Sequence, residues 1–391
     1  MTIRVGAGIS TVTDGVAAAR AALVAALAPL RGARPDLVLL FIAPQFEDET
    51  RAIVDLVTSA TEGAALLGCS AGGIIGGGRE VEDAPAVAVW AASLPGAAIE
   101  PFRLTFERDG EHGLIDGMAE LPAGADRPVV LLLADPYTFP ADLFLEHLNT
   151  EDPGVPVVGG MASGALEAGR SGLYYDGRVL KDGAVGAVLS GAGARAVVSQ
   201  GCRPVGETYA ITRAERNVIH ELGGVPALRR VEDIYGAASD RDKLLMRRGL
   251  HVGQAISELK EELRRGDFLI RNIVSADHAS GSLATSDTVE VGQTIQFQVR
   301  DAESAREDLR ELLEAERRAE TRPVAGALLF SCNGRGQPLF GQPDVDVGAV
   351  RQAFGEVPVA GFFAAGELGP IAGRNYLHGF TASVLLFREA A

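Results

Sequence analysis

Basic residues are in short supply. Lys and Arg number 36 against 52 Asp and Glu, a formal net charge of −16, so a nucleic-acid partner, which needs a basic face, is not expected. The local cluster Arg241–Arg248 (RDKLLMRR) reads as a solvated helix face. Cys69, Cys202 and Cys332 are an odd and sparse set, which argues against a disulfide framework. The six histidines, His112, His147, His220, His251, His278 and His378, lack metal-ligand spacing, so zinc is not expected. No apolar run approaches the roughly 20 residues of a membrane-spanning helix, so no membrane partner is expected. The opening MTIRVGAGIST lacks the apolar core of a signal peptide, which makes the cytoplasm the default compartment.

What is present is a rhythm. Val38–Pro44 (VLLFIAP) is an apolar run closed by proline, followed by a helix-like Glu47–Ser59, then ALLGCSAGG at 65–73 and AVAVWAAS at 86–93. The second pass runs VVLLLADP (129–136), helix-like Ala141–Leu148, VPVVGGMASG (155–164) and GAVGAVL (183–189). The third runs ALLFSCNG (327–334), helix-like Val347–Phe354, VPVAGFFAAG (357–366) and FTASVLLF (380–387). Apolar runs of this length bounded by Gly and Pro read as buried strands. The unit is strand–loop–helix–strand–Gly-rich turn–strand, and the fold class is mixed α/β, with mixed sheets flanked by helices.

Within the first unit, Gly68-Cys69-Ser70-Ala71-Gly72 matches the G-x-S-x-G pattern of a hydrolase nucleophile elbow. The elbow must lead directly into a helix, and Gly76-Gly77-Gly78 follows instead. Gly68, Gly159 and Gly361 each open a G-x-x-x-x-G at the same place in their units, closed by Gly73, Gly164 and Gly366. The glycines read as positions of positive φ or of close approach.

Between the second and third units the pattern changes. Arg213–Leu222 and Pro226–Tyr235 read as a strand leading into a helix with Pro in its first turn. Ala255–Arg265 reads as a charged helix, and Phe268–Val274, Thr288–Val291 and Thr294–Val299 as strands. Glu303–Glu320 reads as a surface helix with Leu309, Leu312 and Leu313 on one face. A low-charge strand, Arg195–Ser199, and a loop, Gly201–Gly206, place the domain boundary near 212, giving domains 1–212 and 213–391.

With both halves laid out, a resemblance becomes specific. ALLGCSAGGI resembles the G-C-S-x-G-E/G-I turn of the FIST N-terminal domain. NVIHELGGVPAL, FLIRNIVSAD, VGQTIQFQVRDAESAREDL, LLFSCNGRG and VPVAGFFAAGELGPIAGRNYLHGFTASVLLF are similar to successive blocks of the FIST C-terminal domain. The resemblance implies a cytoplasmic sensory module that binds a small ligand such as an amino acid. It implies signalling through a partner protein such as a kinase or cyclase, and no catalysis and no cofactor are expected of the chain. One branch of the family senses nitric oxide through haem, which makes His378 the candidate axial ligand in that alternative. Gly73 stands where relatives often carry Glu.

Ligands in open α/β sheets collect beyond the carboxyl ends of strands, which directs attention to two loops. In Ser331–Gly336, Asn333 offers donors and Arg335 either clamps a carboxylate or is solvated. Cys332 is either a nucleophile of depressed pKa or a small buried hydrophobe. In Phe362–Pro370, Phe362 and Phe363 offer an apolar wall beside Gly361 and Gly366, and Glu367 the charge that an ammonium group requires; the alternative packs both rings in the core and leaves Glu367 at the surface. Arg271 and Asn272 sit in a strand whose alternation buries one of them, with Asp277, Asp301 or a ligand carboxylate as the arginine's partner. Cys69 and Ser70 complete the set. An enzyme using Cys332 or Ser70 as nucleophile is the competing reading.

Overall fold

A computed structural model describes residues 2–109, 112–122, 128–260, 263 and 265–389. It forms two compact units, one of residues 1–198, 309–377 and 381–391, the other of 199–308 with 378–380.

The first unit contains the three expected repeats, each with five strands and a helix in the same order. In the first, β1 (Leu37–Ile42), α1 (Thr50–Ala60), β2 (Ala65–Ser70), β3 (Gly73–Gly76), β4 (Arg79–Glu82) and β5 (Val87–Ser93) follow one another. The second comprises β6 (Val129–Ala134), α2 (Ala141–Glu151), β7 (Val157–Met161), β8 (Leu173–Tyr175), β9 (Arg178–Leu180) and β10 (Ala184–Ser190). The third comprises β11 (Val324–Cys332), α3 (Val345–Phe354), β12 (Val359–Ala364), β13 (Glu367–Ile371), β14 (Arg374–His378) and β15 (Thr381–Arg388). In each repeat the first two strands pair in parallel across the helix, and the last strand returns antiparallel beside the first.

The hairpins do not stay at home. β3–β4 leaves the first repeat and pairs β3 with β12 of the third. β13–β14 leaves the third and pairs β13 with β7 of the second. β8–β9 leaves the second and pairs β8 with β2 of the first. Each repeat therefore lends a hairpin to another, in a closed cycle.

Burial follows from this arrangement. One face of each of the three sheets built by the repeats contributes to a shared core holding Leu39 and Phe41, Leu131 and Leu133, and Leu328 and Phe330. The opposite faces are covered by helices: Leu40 and Ile42 under helix Gly15–Leu27 and α1, Leu132 and Ala134 under α2, and Leu329 under α3 and helix Ala302–Ala319. Strands buried on both faces need no polar alternation, so they read as continuous apolar runs.

The glycine that opens each turn has one structural cause, repeated three times. Gly68 lies opposite Leu40, Gly159 opposite Leu132 and Gly361 opposite Leu329. A Cβ on these glycines would stand 2.0, 1.8 and 1.8 Å from the carbonyl oxygens of those leucines. The close approach expected at these positions is thus to the paired strand. The turns interlock beyond them: Gly72 N–H donates to Ser163 Oγ, Ser163 Oγ donates to Phe363 O, and Met161 and Ala365 exchange backbone hydrogen bonds with Gly366 and Met161.

The boundary expected near 212 differs from the observed grouping, because strand Ala194–Gln200 joins the sheet of β15, β11, β12, β3 and β4. The chain then runs through the second unit before returning to the third repeat. That unit is a seven-stranded sheet of Cys202–Glu215, Thr294–Arg300, Leu250–Ala255, Phe268–Asp277, Ser282–Thr285, Val218–Leu222 and Val225–Pro226, in that spatial order. Helices Ala227–Ala237 and Asp240–Arg248 bury Ala227, Ile234 and Met246 in its core.

Several local expectations change. Gly201–Gly206 is mostly the start of a long strand, because Cys202 to Pro204 pair with Gln298 to Arg300. Thr288–Val291 is irregular, with Val289 N–H closing onto Arg216 O instead of a sheet neighbour. The helix expected at Ala255–Arg265 begins as strand, since Ala255 pairs with Phe268, and Glu261, Glu262 and Arg264 lie outside the described residues. In helix Ala302–Ala319, Leu309 and Leu313 are buried whereas Leu312 is 36% exposed.

Replacing Gly361 with alanine forces a side-chain carbon into the Leu329 carbonyl and is expected to destabilise by at least about 3 kcal/mol. Gly348→Ala, on α3 with open space at its Cβ, is expected to be neutral or stabilising by up to about 1 kcal/mol. Denaturant melts of the two variants check this; equal stability would mean that the parallel pair is not in that register.

Candidate functional site

The site candidate lies beyond the carboxyl ends of β1 and β2, a pocket of about 460 Å³. Its wall comes from two repeats. The first repeat supplies Ala43 and Pro44 after β1, Glu47 and Asp48, Thr50 and Arg51 at the start of α1, and Ser70 at the end of β2. The second supplies Gly164–Glu167, Arg170 and Gly172 from its glycine turn, then Tyr174, Val179 and Lys181 from the lent hairpin. The volume suits a small metabolite.

Its chemistry is layered. Ala43, Gly172 and Tyr174 are buried, Pro44, Thr50, Ser70, Gly164, Ala165 and Val179 half-buried, and the rim is exposed. The rim carries Arg51, Arg170 and Lys181 together with Glu47, Asp48 and Glu167. Arg51 is held by Asp55 at 2.9 Å and Arg170 reaches Glu47 at 4.0 Å, while Lys181 Nζ donates to Arg170 O at 3.2 Å. Deeper in, Gly172 N–H donates to Ser70 Oγ at 2.8 Å. The Tyr174 hydroxyl is buried without a hydrogen bond of ordinary geometry, with Thr50 as polar neighbour. Burial raises its pKa well above the phenol range, so it stays protonated.

Of the residues expected from sequence, the pocket takes only Ser70. Its neighbour Cys69 points the other way into the shared core, where burial raises the thiol pKa and keeps it neutral. Ser70 has no triad: its oxygen accepts a backbone N–H, and no histidine lines the pocket. Tyr174 and Lys181 escaped the sequence reading because they arrive on a hairpin from another repeat, and Arg170 because it sits in the turn that leads into that hairpin. The strand-end loop Pro44–Arg51 was within reach of the rule that directed attention to Ser331–Gly336.

The third repeat corrects the favoured expectation. Phe362 is fully buried, its ring 5.2 Å from Phe41 and 5.5 Å from Phe330, and Phe363 is 2% exposed. They are core residues facing opposite sides of a sheet covered on both faces, so neither walls a cavity. Gly361 faces a backbone carbonyl, and Gly366 O accepts from Met161 N. Glu367 is fully buried, neither at a surface nor open to a guest; its Oε2 accepts from Thr381 N and Oγ1 at 3.1 and 2.8 Å. Arg335 is fully buried as well, donating through Nε and Nη2 to Asp346 at 2.8 and 2.7 Å. Its guanidinium lies 5.3 Å from the Phe340 ring. Asp346 also accepts from Ser331 Oγ at 2.7 Å. Cys332 is buried beside Glu367, and Asn333 is exposed with its N–H on Ala364 O.

These residues seal the place that corresponds to the open pocket. The loop after β11 and the start of α3 meet the lent hairpin β3–β4, as the loop after β1 and the start of α1 meet β8–β9. Here, however, Glu80 accepts from Val347 N at 2.8 Å, Glu82 accepts from Gln337 N at 2.9 Å, and Arg335 with Asp346 fills the interior. Burial pushes Glu367 up to about 8, against the opposing pull of Thr381 and Arg335. Burial and the nearby Asp346 push Glu80 up to about 7.

In the second unit, Arg271 pairs with Asp287 at 2.8 Å in place of the expected Asp277 or Asp301, because the bend at Ser286–Asp287 brings that carboxylate to the strand. Asn272 is exposed. Asp301 pairs instead with Arg203 and Arg241. His378 is 5% exposed and already engaged. Among the described residues no cluster of His, Cys, Asp and Glu could hold a metal ion. No described helix is long and apolar enough to cross a membrane.

The first unit is thus a mixed α/β fold of three hairpin-exchanging repeats with a small open pocket at a strand end. The FIST N domain model matches residues 36–225 and the FIST C domain model residues 227–370, and the chain belongs to the FIST family, whose domains are associated with signal transduction and small-ligand sensing. It is 46% identical over 385 residues to the uncharacterized protein Rv0628c of Mycobacterium tuberculosis H37Rv, covering 98% of this chain and 100% of that one. It is 45% identical over 387 residues to the uncharacterized protein Mb0898c of Mycobacterium bovis, covering 98% and 99%.

The raised acids fix a pH dependence. A carboxyl whose folded pKa exceeds its unfolded value adds stability that is full below the unfolded value and lost as pH rises through the folded one. Stability is therefore expected to fall between about pH 4.5 and about pH 8. Glu367→Gln, which keeps an acceptor for Thr381, is expected to flatten that slope. Thermal melts across the range check this; an unchanged slope would show that Glu367 is ionised in the folded protein.

Proposed function

We propose that the protein is a small-ligand sensor whose guest, an amino acid or a similar small metabolite, sits in the pocket beyond β1 and β2 and whose occupancy is passed to a signalling partner such as a kinase or cyclase. The observation that carries the reading is the rim, which sets three cations and three carboxylates around a mostly uncharged interior. A zwitterion meets both signs there without burying an unpaired charge. The family's association with sensing supports the same direction. A guest touching α1 and the lent hairpin at once ties two repeats together, and this is the change a partner would read.

Binding without catalysis accords with the wall, where Ser70 has no base beside it. No histidine lines the pocket wall, and His378, the axial candidate of the haem alternative, is buried and engaged.

Thermal-shift screening against amino acids and related metabolites tests the reading. A guest at a hundred times its Kd is expected to stabilise by about 2.7 kcal/mol. Ala165→Phe, which fills the pocket from a half-buried loop position, is expected to abolish the shift while leaving the unliganded melt nearly unchanged. A full shift in that variant would place the guest elsewhere.

A further inference from the structure

The pocket floor is chemically distinct from its rim. Two hydroxyls flank Gly172. Ser70 Oγ accepts the Gly172 N–H at 2.8 Å, which leaves its own proton to donate. The Tyr174 hydroxyl lies 3.2 Å from where a Gly172 Cβ would stand, buried and without a hydrogen bond of ordinary geometry. A tyrosine hydroxyl in a fully buried ring normally finds a partner. The polar neighbour of Tyr174, Thr50, spends its own proton on Phe46 O at 3.0 Å and keeps lone pairs that can accept from the tyrosine. The charged residues of the wall are all exposed, so the floor presents donors and no compensating charge.

We propose that Ser70 and Tyr174 are the specificity-determining residues of the pocket, and that they read an uncharged oxygen acceptor on the far end of the guest, a primary amide being the simplest such group. This rests on the reading that the pocket holds a small zwitterion. An oxygen seated beside Gly172 satisfies both hydroxyls. A carboxylate in the same place meets no cation within the floor and loses hydration without compensation, and an alkyl end leaves the Ser70 donor unsatisfied and Tyr174 with Thr50 alone. Sites built around buried hydrogen-bonding groups reject analogues that lack the partner more sharply than apolar pockets reject size. The protonated state of Tyr174 agrees with the role of donor.

Calorimetric titration of the full chain with L-glutamine, L-glutamate and L-norleucine, three side chains of similar length with an amide, a charged and an apolar end, tests the assignment. L-Glutamine is expected to bind at least about tenfold more tightly than either analogue. Tyr174→Phe keeps the packed ring and removes only the hydroxyl, so its melting temperature is expected to match the parent while the amide preference falls about tenfold. Ser70→Ala is expected to reduce the preference similarly, its melt reporting the loss of the Gly172 hydrogen bond. If L-glutamine binds but the folded Tyr174→Phe and Ser70→Ala variants bind it as the parent does, this assignment is overturned and the pocket reading stands. Equal or tighter binding of L-glutamate or L-norleucine overturns it too. If none of the three binds, the zwitterion reading of the pocket falls and takes the assignment with it.

Discussion

The contact of a bare glycine Cα with a leucine carbonyl on the neighbouring parallel strand governs much of this architecture. It occurs three times, at Gly68, Gly159 and Gly361, each just before the end of the strand whose turn sends a hairpin to another repeat. A Cβ there would push the parallel pair apart and tilt the strand end that launches the hairpin. Because the hairpins are exchanged in a cycle, each sheet is completed by a strand lent from another repeat. A single repeat would leave the edge of its second strand bare and the inner face of its sheet exposed. The shared core draws on all three, with Phe41 from the first, Leu131 from the second and Phe330 from the third, the behaviour expected of units that cannot bury a hydrophobic face alone.

Exchange also decides where a cavity can form. At each strand end a loop, a helix start and a foreign hairpin converge, and the side chains they bring determine whether the space is filled. In the third repeat Arg335 enters it and binds Asp346 at the first turn of α3, with Phe340 beneath the guanidinium. Burial disfavours the Arg335 charge, but Asp346 more than offsets that. Such pairs add little net stability over an apolar filling and serve to fix one arrangement. In the second repeat the loop turns on itself, Asp135 accepting from Tyr137 N and Thr138 Oγ1. In the first repeat neither device is present: Arg51 faces outward to Asp55, and the interior stays open.

The strands and helices of the repeats were legible because strands buried on both faces leave an unmistakable trace. LVLLFI, VVLLLA and ALLFSC allow no polar alternation, and proline or glycine closes each one. The exchange was not legible, because which edge a hairpin joins depends on pairing between residues as distant as Gly73 and Phe363. Glu367 failed for the same reason. In FFAAGELGP nothing marks the strand that starts at Glu367 as a central one, yet its pairing with Gly160 carries the carboxyl into the interior, where Thr381 meets it. Ser70 came through because a strand end is local, whereas Tyr174 and Lys181 reach the same pocket on a hairpin from a hundred residues further along the chain.

A threefold scaffold with one open copy separates two demands that usually conflict. Binding needs a cavity, exposed backbone and polar groups left waiting for a guest, each of which weakens a fold. Here the third repeat seals its own strand end with an ion pair and two carboxylate-to-backbone contacts from the lent hairpin, while the first keeps an open pocket with an exposed, charged rim. Since β8–β9 belongs to the second repeat in sequence and to the first in space, any tightening around a guest acts on the turn that joins them, Gly164–Gly172. That turn is hydrogen-bonded to Ser70 at both ends, through Gly164 N–H to Ser70 O and Gly172 N–H to Ser70 Oγ. A serine that resembles a nucleophile in one dimension thus acts in three as the fastening between a strand end of the first repeat and the turn of the second.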